Sequence, residues 1–305
     1  MAVKKKIDII GVPSDLGANM NGANMGPSAI RIAGLKKQVE SLGYEVRDLG
    51  DITVPVKDSL PQSDHDARFL QPITDICKEL ANITLDSYES NHTPIVLGGD
   101  HSIAVGTISG ASAYFRKRNQ KMGLVWVDAH ADCNTPTSSP SGNIHGMPLS
   151  TLLDQGHSCL REIGGPGSKV DADKVALIGI RTIDDVEKKI LRESGIQYYS
   201  MRDIDEQGMY QIMKKAIAAV SKDTAGIHLS FDIDGIDPNY APGVSTPVGG
   251  GLSFREAHLL LEMLCETEKL TSLEFVELNP FTDVGAQTAN LVVDLIQSAL
   301  GKTIV

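Results

Sequence analysis

The stretch "LVWVDAHADCNTP", residues 124–136, changes character halfway. Its apolar opening has the continuous hydrophobicity of a strand covered on both faces. Its second half sets Asp128, His130 and Asp132 at alternate positions. An extended strand rises about 3.3 Å per residue, so Asp128 and Asp132 on a straight strand would stand roughly 13 Å apart, too far to share one ion. Either the chain curls there or two ions are involved.

Working outward from this run, comparable apolar stretches recur: "IDIIGV" (7–12), "YEVRDL" (44–49), "TPIVLGG" (93–99), "GLVWVDAH" (123–130), "KVALIGIR" (174–181), "IQYYS" (196–200), "GIHLSFDID" (226–234) and "TSLEFVEL" (271–278). Between most of these eight strand candidates lie segments of helical period, such as "SAIRIAGLKKQVESLG" (28–43), "PITDICKELANITLDSY" (72–88), "MYQIMKKAIAAVSK" (209–222) and "FREAHLLLEMLCETE" (254–268). Strands apolar on both faces and joined by helices predict an α/β fold with a parallel sheet covered on both sides. No linker, repeat or charge block divides the 305 residues, so 1–305 reads as a single domain. In such sheets ligands bind beyond the carboxyl ends of the strands, which is where site residues are expected.

The net charge of -11 repels phosphate backbones and argues against a nucleic-acid partner. No window approaches the roughly 20 apolar residues needed to cross a bilayer, and the N-terminal run is too short for a signal peptide. The four cysteines, Cys77, Cys133, Cys159 and Cys265, include no C-x-x-C pair, so a reducing cytoplasm is the expected setting.

Two more strand candidates end in the chemistry of the opening stretch. "LGGDHS" delivers Asp100 and His101, and "FDIDGIDP" delivers Asp232 and Asp234 on one face. Asp100 and Asp237 read as turn formers, whereas His101, Asp128, His130, Asp132, Asp232 and Asp234 form a set. Its four carboxylates balance two divalent cations, and six N/O donors leave positions open for water. A set without thiolates suits manganese and its neighbours. His228 and Ser230 share the parity of Asp232 but sit deeper in the strand, as supporting or core groups.

Taken together, "GGDHS", "DAHADCNTP" and "SFDIDGIDP" resemble the three metal motifs of the ureohydrolases, and "SPSGNIHGMP" (139–148) resembles the arginase branch of that family. The resemblance runs from "IIGVPSDLG" to "FVELNP". It implies a three-layer α/β/α sandwich with an eight-stranded parallel sheet, two Mn2+ ions with Co2+ as an alternative, and hydrolysis of L-arginine to L-ornithine and urea by a metal-bridging hydroxide. It further implies that the six residues above are the ligands, with Asp128 and Asp232 bridging. By the same resemblance His145 is the catalytic proton carrier and Glu277 the partner of the guanidinium. Asn134, Ser141 and Asn143 correspond to contacts of the substrate α-carboxylate, Asp184 and Glu187 to positions near its α-amino group, and Thr246 to a pocket wall. A homo-oligomer, trimer or hexamer, is implied as well.

The chemistry is coherent on its own terms. A carboxylate matches the planar fork of a guanidinium, and an imidazole of ordinary pKa, about 6.5, suits protonation of an amine leaving group. The loop "GANMNGANMGPSAIR" (17–31) has no arginine near Met20 or Asn21, where the family often carries one, and Thr182 stands where some relatives have an acid. Agmatinase is the nearest alternative, other guanidino or formimino acids follow, and a non-catalytic metal-binding protein is the alternative of a different class. The donors of "SPSGNIHG" separate arginine from agmatine, whose missing carboxylate would leave them unpaired.

Overall fold

The computed structural model describes residues 6–61 and 65–303. All eight apolar runs form strands: β1 (Lys6–Val12), β2 (Glu45–Asp51), β3 (His92–Gly98), β4 (Met122–Val127), β5 (Val175–Ile180), β6 (Gln197–Ser200), β7 (Gly226–Asp232) and β8 (Leu270–Val276). They make one sheet in the order β2-β1-β3-β8-β7-β4-β5-β6, every neighbouring pair parallel. Helices cover both faces. Ile7, Ile9, Val125, Val127, Leu229, Phe231, Leu273 and Phe275 pack on one side against helices that include Met209–Ser221, Phe254–Glu266 and Gln287–Ala299. Alternate residues such as Ile10, Val12, Val96, Leu124 and Trp126 face the helices Leu70–Glu89 and Ala104–Arg116. The result is the expected three-layer α/β/α sandwich.

The structure departs from the sequence reading in four places. β4 stops at Val127 rather than running to residue 130, and β7 gives way after Asp232 to a tight 3-10 turn, Ile233–Gly235. The two central strands are not apolar on both faces: His228, Ser230, Ser272 and Glu274 point to one side and are wholly buried. Their hydroxyl, imidazole and carboxylate groups bond one another, which makes burial of polar groups tolerable. The helical run 28–43 is two helices, Gly26–Ile32 and Leu35–Ser41, parted at Gly34, whose φ of +92 suits a residue without Cβ. Finally, the helix Ala104–Arg116 is buried nearly all round and shows little amphipathic signal. Its small residues allow close approach: a Cβ on Gly110 would stand 2.4 Å from the carbonyl oxygen of Ala81 on the neighbouring helix.

Candidate metal centre

Four strands adjacent in space, β3, β8, β7 and β4, carry the site at their carboxyl ends. Their register is nearly level, with Leu97 beside Phe275, Val276 beside Asp232 and Phe231 beside Val127. The residue after each strand end therefore arrives at the same height.

Beyond Val127 the chain curls, and Asp132 adopts a left-handed backbone with φ of +49. The curl brings ligand-type atoms of His101, Asp128, Asp132 and Asp232 within 4.8 Å of one another, and those of Asp128, His130 and Asp234 likewise. The chain thus curls, and the donors fall into two clusters. Asp128 belongs to both clusters, whereas Asp232 falls in the first only.

The donors are held by backbone and core. Asp128 accepts from its own chain at His130 N (2.7 Å) and from the buried indole of Trp126 (2.9 Å), whose ring stacks on His101 at 4.1 Å. Asp232 accepts from Asp234 N at 2.8 Å, and Asp234 from Ala129 N at 3.2 Å and the Thr246 hydroxyl at 2.8 Å. Thr246 therefore braces a carboxylate besides standing near the cleft. Arg181, half-buried, donates to the carbonyls of Asp234, Gly235 and Val248.

Electrostatics show what this set requires. Burial pushes Asp232 well above the ordinary carboxylate value, and Asp234 and Asp128 add like-charge repulsion. Burial and Asp128 likewise push Asp132 up to about 6. Burial disfavours charge on His101 and His130, yet the surrounding carboxylates prevail, raising His101 well above its usual value and His130 to about 12. Acids crowded this closely demand positive charge, which shared protons or divalent cations can provide. The N/O donor set fits hard divalent cations.

Glu277 follows β8 in a left-handed conformation, φ +65. One carboxylate oxygen, Oε1, accepts from His101 N at 2.9 Å and lies 3.1 Å from His145 Nδ1. The other, Oε2, is buried and has no hydrogen-bond partner among the described residues. His145, in the 3-10 turn Ile144–Gly146, does not keep the ordinary imidazole pKa expected of it. Burial lowers it, but the contact with Glu277 and the charges of Asp132 and Asp100 prevail and raise it to about 9.

The remaining predicted residues are held largely by one another. Asn134 donates to Asp184 Oδ2 at 2.8 Å, Asn143 is buried, and Ser141 is exposed, its hydroxyl oxygen accepting from Asn143 N at 3.2 Å. Asp184 and Glu187 form a capping box on the helix Asp185–Ser194. Glu187 is pushed up to about 7 by burial, with Asp132 and Asp184 adding to it. Asp100 and Asp237 are loop clamps, as expected.

Two cations that sequence reading passed over support the loop lacking an arginine. Arg68 donates to Asn19 Oδ1 at 2.6 Å and reaches Asn143 Oδ1 at 3.4 Å, while Lys57 donates to the carbonyls of Asp15 and Ala18. Neither stands in a motif, and only folding carries residues 57 and 68 to this rim.

Fold and site together define an α/β protein with paired carboxylate–imidazole clusters able to hold metal ions. The model of the Arginase family matches residues 5–301. An arginase of Bacillus caldovelox is 46% identical over 98% of this chain and 99% of that protein, and its native crystal structure at pH 5.6 superposes with a TM-score of 0.95, covering 99% of this chain and 100% of the other. The crystal structure of Entamoeba histolytica arginase in complex with L-ornithine is 34% identical with a TM-score of 0.90, over 98% and 99% of the two chains. The chain belongs to the arginase family.

Proposed function

We propose that this protein hydrolyses L-arginine to L-ornithine and urea. The observation that carries the reading is Glu277 Oε2, a buried carboxylate oxygen without a hydrogen-bond partner among the described residues, beside the two donor clusters. An unsatisfied buried acceptor is costly, and a guanidinium, with its fork of donors, is the complementary group. Membership of the arginase family and full-length similarity to arginases point the same way.

In this reading His101, Asp128, Asp132 and Asp232 would hold one divalent cation and Asp128, His130 and Asp234 a second, manganese being the expected metal, with Asp128 common to both sets. When bound, such ions act as Lewis acids that bring the pKa of water from 15.7 to near 7. The protein's own groups do the rest. Glu277 orients the guanidinium carbon toward the clusters. His145, charged at neutral pH because it lies beside Glu277, delivers a proton to the departing nitrogen as the bond from the guanidinium carbon to the side-chain nitrogen breaks. Asn134, Ser141 and Asn143 receive the α-carboxylate, with the Arg68 guanidinium adding positive charge at Asn143. Asp184 and Glu187 face the α-amino group, and Thr246 steadies Asp234 at the pocket wall. Residues 1–305 act as one catalytic domain, assembled as a trimer or hexamer in the cytoplasm; among the described residues no helix is long and apolar enough to cross a membrane.

The test is urea release from L-arginine and from agmatine by metal-stripped protein reloaded with manganese. Arginine should be preferred by at least about 100-fold in kcat/KM, because agmatine leaves the carboxylate donors unpaired. Preference for agmatine would overturn the assignment of Asn134, Ser141 and Asn143. Turnover of neither substrate would overturn the reaction itself.

A further inference from the structure

Glu274 sits in β8, wholly buried, on the sheet face that packs against the helix Ala104–Arg116, and it belongs to neither donor cluster. A carboxylate in such a place is costly to bury unless it has a task for its charge. Its Oε1 accepts the Ser230 hydroxyl proton at 2.7 Å, and Ser230 Oγ lies 2.8 Å from His101 Nε2.

The direction of these bonds is determined by counting protons. A hydroxyl has one proton, and an ionised carboxylate only accepts. The Ser230 hydroxyl is aimed at Glu274 Oε1, and the His228 ring lies 3.5 Å from the same oxygen, so Glu274 stands as the acceptor of the row. Ser230 therefore gives its proton to Glu274 and can only accept from the ring of His101. That places the ring proton on Nε2. In the neutral ring the lone pair is then on Nδ1, which faces Asp232 at 3.0 Å, Asp132 at 3.1 Å and Asp128 at 3.3 Å.

The same polarity arrives from the other end of the buried row. Tyr88 donates its hydroxyl proton to Ser272 at 2.7 Å, and Ser272 lies 2.6 Å from His228 Nδ1. This leaves His228 Nε2 to carry its proton toward Glu274 Oε1, 3.5 Å away, too far for a full hydrogen bond. With the shorter of the two Tyr88 bonds made to Ser272, both arms of the row run toward Glu274, which orders them as a shared acceptor.

We propose that Glu274 is a positioning residue for the first cation cluster: by taking the Ser230 proton it keeps Ser230 an acceptor for His101 Nε2–H, and so presents Nδ1 as the free ligand nitrogen. The group bonded to the far nitrogen of a histidine selects which nitrogen can ligate. The inference rests on the reading of that cluster as a cation site. Without an acceptor at residue 274, the Ser230 proton is free to turn toward Nε2, which favours the tautomer whose Nδ1–H repels a cation.

The test titrates manganese into the metal-stripped, full-length protein, with thermal melting of each metal-free form to establish folding. Wild type should bind two ions per chain. Glu274→Met should bind one ion as wild type does and the other about 10- to 100-fold more weakly. Glu274→Gln, whose amide oxygen still accepts from Ser230, should recover most of that loss. Because Glu274 acts through Ser230, the double variant Ser230→Ala with Glu274→Met should bind no more weakly than Ser230→Ala alone.

Wild-type affinity for both ions in Glu274→Met, equal weakening of both, or additive losses in the double variant would overturn the proposal. Should Glu274→Met fail to fold, Ser230→Ala decides alone, since it cuts the same chain at its middle: normal binding of both ions overturns the idea. If wild type itself binds no manganese, the metal-site reading fails first, an outcome visible before any variant is made.

Discussion

Glu277 combines a left-handed backbone at φ +65 with a buried carboxylate oxygen that has no hydrogen-bond partner among the described residues. A non-glycine residue in that conformation carries a cost of order 1 kcal/mol or more, which the surrounding structure must sustain. Here the turn aims Oε1 at His101 N and His145 and leaves Oε2 for a ligand. Glu277→Gln should keep its bound ions and lose about three orders of magnitude in kcat/KM, on the order of 4 kcal/mol, the scale for breaking a buried charged contact. Steady-state kinetics together with metal analysis check this, and near-normal kcat/KM would remove Glu277 from guanidinium binding. His145→Asn should lower kcat by about 10²- to 10⁴-fold with a smaller change in KM, since a proton donor acts on the transition state. An unchanged kcat would mean that solvent supplies the proton.

At the scale of elements, His101 and Asp234 owe their places to a strand ending and a tight turn beginning. His101 opens a 3-10 turn capped by Asp100, Asp234 lies in one capped by Asp232, and His145 occupies a third. The helix Ala104–Arg116 backs the buried polar row of β7 and β8 and is held against Leu70–Glu89 through its small residues. Gly110→Ala should cost about 2 kcal/mol, because the added methyl meets a backbone carbonyl that can move only by parting two helices. A urea midpoint shifted down at unchanged slope would show it, and an unshifted midpoint would mean the helices separate more freely than their packing implies.

At the scale of the molecule, Asp8 at the centre of β1 ties an edge of the sheet to the rest. It is wholly buried and bonded by Arg47, Ser87 and His92. Burial raises its pKa, but these partners prevail and hold it below the usual carboxylate range. A depressed folded-state pKa contributes stability above the unfolded value, about 3.9, that disappears as pH falls through the folded one. Asp8→Asn should therefore destabilise the protein by about 2 kcal/mol at pH 7, and its deficit against wild type should shrink as the pH drops below about 4. Denaturant titrations of both proteins across that range are the check; a deficit independent of pH would assign the effect to shape rather than charge. Much of this molecule was legible in its sequence. Eight apolar runs appeared as eight strands, and His101, Asp128, His130, Asp132, Asp232 and Asp234 were recognisable because strand ends and donor spacing are local properties. The helix 104–116 was not, since burial on every side erases the period that marks an amphipathic helix. Nor were Arg68, Lys57 or the task of Glu274, which lie far in sequence from what they touch. Composition and local pattern determined the class of fold, the strands and the chemical nature of the site. Only the tertiary structure decided that β3, β8, β7 and β4 stand side by side, that the chain after Val127 curls to make two clusters from one run, and that His145 meets Glu277. Strand order and pKa depend on contacts between residues more than a hundred positions apart, such as His145 and Glu277, and no local pattern encodes such contacts.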